Sequence, residues 1–587
     1  MDNESNEGHG EIGRRDQKSF TRLIEEKGTE YDPTKLAAIA TEMMLRSGDT
    51  VDDGPDAEEN LFVPAGYTYF GQFVDHDLTL DVTSTLNPED ASQNPDRVPT
   101  NLRTPRFDLD CLYGTGPGDR PYMYAADGAT LLLGDKSPYP PNGVPPDYDL
   151  LRSSNGRAII GDKRNDENSI VNQIQHAFIL FHNKVVRELT GKTLPSGLSL
   201  FEAAQQQVRW AYQRILTEDF LPRIINAEVL AALKADVGNN KLENDDGYKL
   251  YKKALRANLP REFVAAAYRY GHSGVRTGYR LNGVPGKNNG TALPIFISGH
   301  SANMPALSLV GFDPLPPEHV IDDWGRFFPT GDALLPGTRR VHNDDMTSVS
   351  KGDGGEGKVR MQYAYKIDTT LVDPLADLPP SVADNHEIPV EVRKARGPSL
   401  ALLNLLRGRV YRLPSGEKVA DAIGAVKLEP HEIGVRKTTS KDKGKDKVKG
   451  FEYVRFADLD TVGNYFDGDT PLWFYVLAEA QAPLMRLWES RGSDKAMLTE
   501  EEFLGFDQKD GRAAGICGGT QLGAVGGRIV GEVFYGLLQS DPDSVVNSAP
   551  ADWHPIWGEG RASVDKLLRY AGLTIAEQPV AEKIEPA

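Results

Sequence analysis

Cysteine is nearly absent. Cys111 and Cys517 are the only two in 587 residues, so at most one bridge can form and a disulfide framework is excluded. Long apolar runs are missing as well. Stretches such as residues 263–268 fall far short of the roughly 20 residues that cross a bilayer, and no transmembrane helix is expected. Basic charge is in deficit, with 66 Lys and Arg against 85 Asp and Glu and a net charge of −19. That balance argues against nucleic acid or an anionic membrane as a partner. No repeat of fixed period occurs, which disfavours solenoids and propellers. The start Met1-Asp2-Asn3-Glu4-Ser5 lacks a basic segment followed by an apolar one, so no Sec signal peptide is expected. The expected location is the cytoplasm, or the outside by a leaderless route.

What the chain does have is enough apolar material, 39 %, for a substantial core. Its length suits two to four folding units or one large helical fold. In residues 169–189 the positions Ile170, Ile174, Phe178, Phe181, Val185 and Leu189 recur at steps of four and three, one apolar helix face, with Gly191 closing it. Residues 200–221, 262–270, 399–406 and 527–538 also suit helices, whereas alternating strand patterns are few and short. Residues 1 to about 30 read as a flexible polar arm and the Pro-rich stretch 137–146 as a loop. The charged stretch 437–450 reads as a solvated loop, and the last dozen residues as a loose tail. The expected class is a mainly α protein with long surface loops.

Five segments could carry chemistry. In Gly71-Gln72-Phe73-Val74-Asp75-His76-Asp77, a helix over Gly66–Leu78 would put Gln72 and His76 on one face, with acids on either side of the imidazole. Such a group is a metal site, an acid/base site or a solvated helix end. Thr104-Pro105-Arg106-Phe107-Asp108-Leu109-Asp110 offers oxygen donors at every second position, the pattern a hard cation needs, although a run of Asp is more often an exposed turn. In Gly161-Asp162-Lys163-Arg164-Asn165-Asp166-Glu167, Arg164 and Glu167 are three apart and can point the same way from a first helical turn; the bland reading is a helix start with acids at its positive end. His176 and His182, in the helix that follows, read as packing or hydrogen-bonding residues. Residues 263–272 place His272 after Gly271 behind a run of alanines that lets a neighbour or flat ligand come close. Finally, Asn404-Leu405-Leu406-Arg407-Gly408-Arg409 sets an amide on an apolar helix face, where leaving it unpaired would cost about 1–3 kcal/mol.

Taken in order, these segments resemble the animal-type haem peroxidases of the peroxidase–cyclooxygenase superfamily, and more closely their bacterial members. The matching motifs run from about Gly71 to Gln539, where residues 527–534 look like the family's late helix. The resemblance implies a helical haem peroxidase fold with the haem in a central core. It also implies a polar extension over 1–60, a catalytic domain over 61–545 and a C-terminal helix and tail over 546–587. It casts His76 as the distal histidine, Gln72 as the glutamine beside it that holds water or halide, and Arg164 as the distal arginine. His272 would bind the iron of haem b and Asn404 would orient its other ring nitrogen. Arg269 and Arg407 would neutralise the propionates, and Asp75 and Glu167 would take the positions that form ester bonds to haem in mammalian members. Asp77, Thr104, Asp108 and Asp110, with the Arg106 carbonyl, fall on calcium-ligand positions. The implied reaction uses hydrogen peroxide and a ferryl intermediate to oxidise small donors: bromide, iodide, thiocyanate or phenols.

Two departures narrow this. Asn168 follows Glu167 where chloride-oxidising mammalian members have a methionine that makes a third haem bond, so efficient chloride oxidation is not expected. Val410-Tyr411 follows Arg409 where many animal members have Asp-His. One rival is a fatty-acid dioxygenase of the same superfamily; those enzymes carry a radical-forming tyrosine three residues before the proximal histidine, and Arg269 stands there, between Tyr268 and Tyr270. The other is a matrix or adhesion protein that keeps the fold without the haem, against which the joint presence of His76, Arg164 and His272 argues.

Overall fold

A computed structural model describes residues 18–44, 58–80, 100–134, 148–195, 197–237, 247–256, 258–282, 293–297, 307–331, 361–379, 382, 399–443, 446–492, 497–499, 502–503 and 518–575. The first seventeen residues of the expected arm, the Pro-rich stretch, the C-terminal tail and Cys517 lie outside these. Among the described residues no helix is long and apolar enough to cross a membrane.

The fold is predominantly α-helical with long loops, and its centre is built from five helices: α1 (Gly66–Leu78), α2 (Ser169–Leu189), α3 (Leu200–Ile215), α6 (Leu472–Glu489) and α7 (Ala524–Ser540). The 4–3 spacing read in residues 169–189 buries Ile170, Ile174, Phe178, Phe181 and Val185 on one side of α2. Asn168 caps that helix, its side-chain oxygen accepting from the backbone of Ile170 and Val171, while Ser199 and Glu202 close a reciprocal capping box on α3. Aromatic rings knit α1 to α2 and α3: Phe73 stacks on Phe178 at 4.7 Å, and Phe70 meets Tyr212 edge-on at 6.3 Å. The start of α7 is held by Glu479 of α6, whose carboxylate accepts from the backbone of Val525 and Gly526 at 3.0 and 3.3 Å.

Several expectations need correction. The stretch expected as a helix over 262–270 is a short helix α4 (Arg261–Ala265) that breaks at Ala266 (φ −138°, ψ −77°) and continues as a 3₁₀ turn over Ala267–His272. The pattern over 200–221 leaves α3 through one π-helical turn, Leu216–Phe220. Arg164 lies in a separate 3₁₀ turn, Lys163–Asp166, rather than in the first turn of α2. The charged stretch expected as a loop is an antiparallel hairpin, β1 (Gly434–Lys443) with β2 (Asp446–Arg455), in register from Gly434↔Arg455 to Lys443↔Asp446. Its base is anchored because Phe451 and Tyr453 pack with Leu484, Met485 and Trp488 of α6.

Residues 18–31, the latter part of the expected arm, are seated against the body. Thr21 and Arg261 exchange backbone hydrogen bonds with their neighbourhoods, Thr21 N donating to Leu259 O and Arg261 N to Thr21 O, both at 2.9 Å. The Leu23 amide donates to Glu262 at 3.1 Å, and Arg22 donates to the carbonyls of Arg412 and Tyr411 at 2.7 and 2.8 Å. Tyr31 O accepts from Arg409 Nε at 2.6 Å. This strap ties α4, which leads to His272, to the end of α5 (Leu400–Val410), which carries Asn404.

Candidate functional site

A cavity of about 460 Å³ opens between α1, the Lys163–Asp166 turn, the Ala267–His272 turn and α5. All nine residues expected at a haem site line it: Gln72, Asp75, His76, Arg164, Glu167, Arg269, His272, Asn404 and Arg407. Its volume falls in the range of organic-cofactor sites, about 300–1,000 Å³.

Helix α1 supplies one side. His76, in its last turn, is buried, and burial next to the Arg164 charge pushes its pKa down to about 3, so the ring is neutral at pH 7. Nδ1 of that ring lies 2.7 Å from Asn165 Oδ1, and Asn165 Nδ2 donates to Gln175 Oε1 of α2 at 2.8 Å. Gln72, one turn earlier, donates to Glu167 and accepts from Asn168 Nδ2 at 3.2 Å. Burial raises the Glu167 carboxyl to about 7 and also raises Asp75, against the pull of Arg269 and Arg164.

Arg164 is clamped. Its Nε and Nη2 donate to Asp162 at 3.1 and 2.7 Å, and Nη2 also donates to the carbonyl of Thr79, so none of these bonds uses Nη1. Asp162 is buried and shared with Arg103, which reaches Asp110 at 3.2 Å on its other side. The approach of this turn to the Asp110 loop needs glycine: a Cβ on Gly161 would sit 2.5 Å from the Cys111 carbonyl oxygen.

The other side is built from the 3₁₀ turn and α5. The Asn404 amide turns Nδ2 to His272 Nδ1 at 2.8 Å and Oδ1 to Arg269 Nη1 at 3.4 Å. Burial, with Arg269 and Arg407 nearby, lowers the His272 pKa to about 3. Arg269 donates to the Val264 carbonyl, and burial beside Arg407 lowers its pKa to about 10. A cavity wall with two arginines so placed suits an anionic ligand.

The oxygen-rich loop lies beside this cavity. Asp77, Asp108 and Asp110 bring one carboxylate oxygen each within 4.8 Å of one another. Both oxygens of Asp77 are buried without a well-formed hydrogen bond, the Tyr212 hydroxyl being the donor beside them, and burial together with Asp108 and Asp110 pushes its pKa well up. Three acids so packed could hold a cation. The Thr104 hydroxyl joins them, donating to Asp108 at 2.6 Å. The Arg106 side chain turns away to Asp541 at 3.3 Å.

Asp162 and Asn165 stand in the segment 161–167 with no role given them by the sequence, and Gln175 and Arg103 stand outside the five segments. A buried side chain that holds another from a distant segment leaves no local spacing to read. Asp162 alone had a signal, as an acid two residues before Arg164.

Residues 87–301 match the family model described as animal haem peroxidase, a span that includes Arg164, Glu167, Arg269 and His272 but not His76 or Asn404. No curated protein matches the chain. Among solved structures, the fold is similar to peroxidase A from Dictyostelium discoideum, with a TM-score of 0.50 and 14 % identity over 96 % of this chain and 95 % of that one. Fatty acid alpha-dioxygenases are also matched. The Arabidopsis thaliana structure has a TM-score of 0.47 and 15 % identity over 92 % of this chain and 73 % of its own. For that of Oryza sativa the values are 0.48, 15 %, 95 % and 79 %.

Proposed function

We propose, for a chain whose residues 87–301 match the animal haem peroxidase model, a haem-dependent peroxidase that uses hydrogen peroxide to oxidise small donors. The observation that carries this reading is the meeting of two imidazoles, His76 buried and His272 half-buried, with the clamped guanidinium of Arg164 around one cavity of cofactor size. The donor set fits a haem: an imidazole to ligate, two arginines for its carboxylates and a second imidazole to handle protons. Haem, when bound, supplies the redox chemistry; the residues around it set binding, orientation and proton movement.

His272 would ligate through Nε2, which requires the proton to sit on Nδ1. Asn404 must then turn its amide over to accept from Nδ1–H, giving up only the long 3.4 Å contact with Arg269. Arg269 and Arg407 would hold the propionates, and Asp75 and Glu167, which line the same cavity, would form ester bonds to the macrocycle. His76, neutral at pH 7, would take a proton from peroxide at Nε2 and return it to the leaving oxygen. Arg164 would stabilise the charge that develops there; held by Asp162 and Thr79, it needs no rearrangement to do so. Gln72 would hold water or a halide beside His76. Calcium would sit among Asp77, Asp108, Asp110 and Thr104, with the Arg106 carbonyl completing the set.

Asn168 caps α2 and donates to Gln72, so no methionine bond to haem can form and the donors expected are bromide, iodide, thiocyanate and phenols rather than chloride. Arg269 in place of a tyrosine, with the Tyr268 hydroxyl committed to the Gly71 carbonyl at 3.2 Å, speaks against dioxygenase chemistry.

The test is an absorption spectrum of the haem-reconstituted protein before and after peroxide. A Soret band is expected, lost in His272→Ala. His76→Ala should keep the band and react with peroxide about 10²–10⁴-fold more slowly. A colourless wild-type protein, or an unchanged rate in His76→Ala, would overturn the reading.

A further inference from the structure

Asn165 and Gln175 lie behind the imidazole of His76, outside every role assigned above. Both are fully buried, at 0 % exposure, where an amide is costly unless its bonds are directed. Gln175 Oε1 takes the Asn165 Nδ2 hydrogen at 2.8 Å, which leaves the Asn165 oxygen on the side away from Gln175. That oxygen, not the amide nitrogen, is therefore turned to His76 Nδ1 at 2.7 Å. A carbonyl oxygen only accepts, so Nδ1 must carry the proton and Nε2 of the neutral ring is left with its lone pair. Gln175 Nε2 has no acceptor of its own while Oε1 stays on Asn165.

We infer that Asn165 and Gln175 are positioning residues that fix His76 in the tautomer able to accept a proton from peroxide at Nε2. The two amides act as a relay of fixed direction: Gln175 orients Asn165, and Asn165 orients His76. Neither touches the reacting atoms. This inference deepens the peroxidase reading and rests on it. A wrong tautomer removes proton acceptance without moving the ring, an effect that in a serine protease reaches about 10⁴-fold.

The experiment uses the haem-loaded full chain and follows, by stopped flow, the bimolecular reaction of the ferric protein with peroxide. Cyanide binding, which also needs a base at Nε2, is measured alongside. Asn165→Leu should keep the Soret band and slow both reactions on the order of 10²-fold. Asn165→Asp, which restores an acceptor oxygen at Nδ1, should recover most of the rate. Gln175→Leu, which frees the Asn165 amide to turn over, should fall between them, and it keeps the test open should Asn165→Leu fail to fold. The steady-state dependence on the electron donor should be unchanged in all three. A haem-loaded Asn165→Leu or Gln175→Leu at the wild-type rate would overturn the relay alone, as would an Asn165→Asp as slow as Asn165→Leu. A wild-type chain that takes up no haem would overturn the peroxidase reading and the relay with it.

Discussion

His182 shows how much a single buried ring can weigh on stability. Its Nδ1 lies 3.1 Å from the Tyr113 hydroxyl and its Nε2 2.9 Å from the Ala129 carbonyl, and burial lowers its pKa to about 4. An unfolded histidine titrates near 6.5, so between about pH 6.5 and pH 4 the unfolded chain binds a proton that the folded one refuses. Stability from this group is therefore full above that window and falls as pH drops through it. In His182→Gln the melting temperature should depend less steeply on pH over the same range; an unaltered slope would assign the titration elsewhere. Glu167 and Asp75 invite a second measurement. If both esterify a reconstituted haem after peroxide turnover, acid–acetone should leave the colour on the polypeptide, and the Asp75→Asn, Glu167→Gln pair should release it. Residues of this kind were legible wherever a motif carried them: the sequence placed His182 as a packing or hydrogen-bonding residue, and the nine side chains that the resemblance assigns to a haem site line one cavity. Asn165 and Gln175 were not, because an amide ten residues from another amide signals nothing until the fold sets one against the other and Asn165 against position 76.

At the scale of elements, the Lys163–Asp166 turn is docked rather than capped, and Gly161 is where it docks. The atoms a Cβ would meet there, Cys111 O and Asp110 O at 2.5 and 2.6 Å, belong to backbone and cannot swing aside. Gly161→Ala should cost about 1–3 kcal/mol in denaturant unfolding and slow the peroxide reaction by shifting Asp162 under Arg164. Normal stability with a normal rate would show that the approach tolerates a methyl group. Helix α2 was readable because its apolar stripe keeps a 3.6-residue period through five turns and ends at Gly191. The hairpin was not. Its strands alternate lysine with threonine, serine and aspartate, and the apolar residues that anchor it, Val435, Phe451 and Tyr453, cluster at its base. The break at Ala266 also escaped notice, since an alanine run is as good a helix former as any; the turn that aims His272 is imposed by packing.

Across the whole molecule, one guanidinium joins the acidic loop to the cavity. Arg103 bridges Asp110 and Asp162, and Asp162 in turn holds Arg164. Removing a cation from Asp77, Asp108 and Asp110 would leave uncompensated buried charge at one end of this chain. Chelation should lower the melting temperature, and calcium in excess should restore it in proportion to the logarithm of its concentration. The peroxide rate should fall in step; a rate that survives chelation would separate the loop from Arg164. The helical class was legible at this scale from periodicity alone. The seating of residues 18–31 was not, because their polar backbone bonds leave no apolar pattern. That strap also orders events in time. Its partners at 259–262 and 409–412 are made long after it, on the order of tens of seconds at about 5–20 residues per second. During synthesis the strap that ties α4 to the end of α5 therefore cannot close until residue 412 has left the ribosome, so the His272 side of the cavity is latched last.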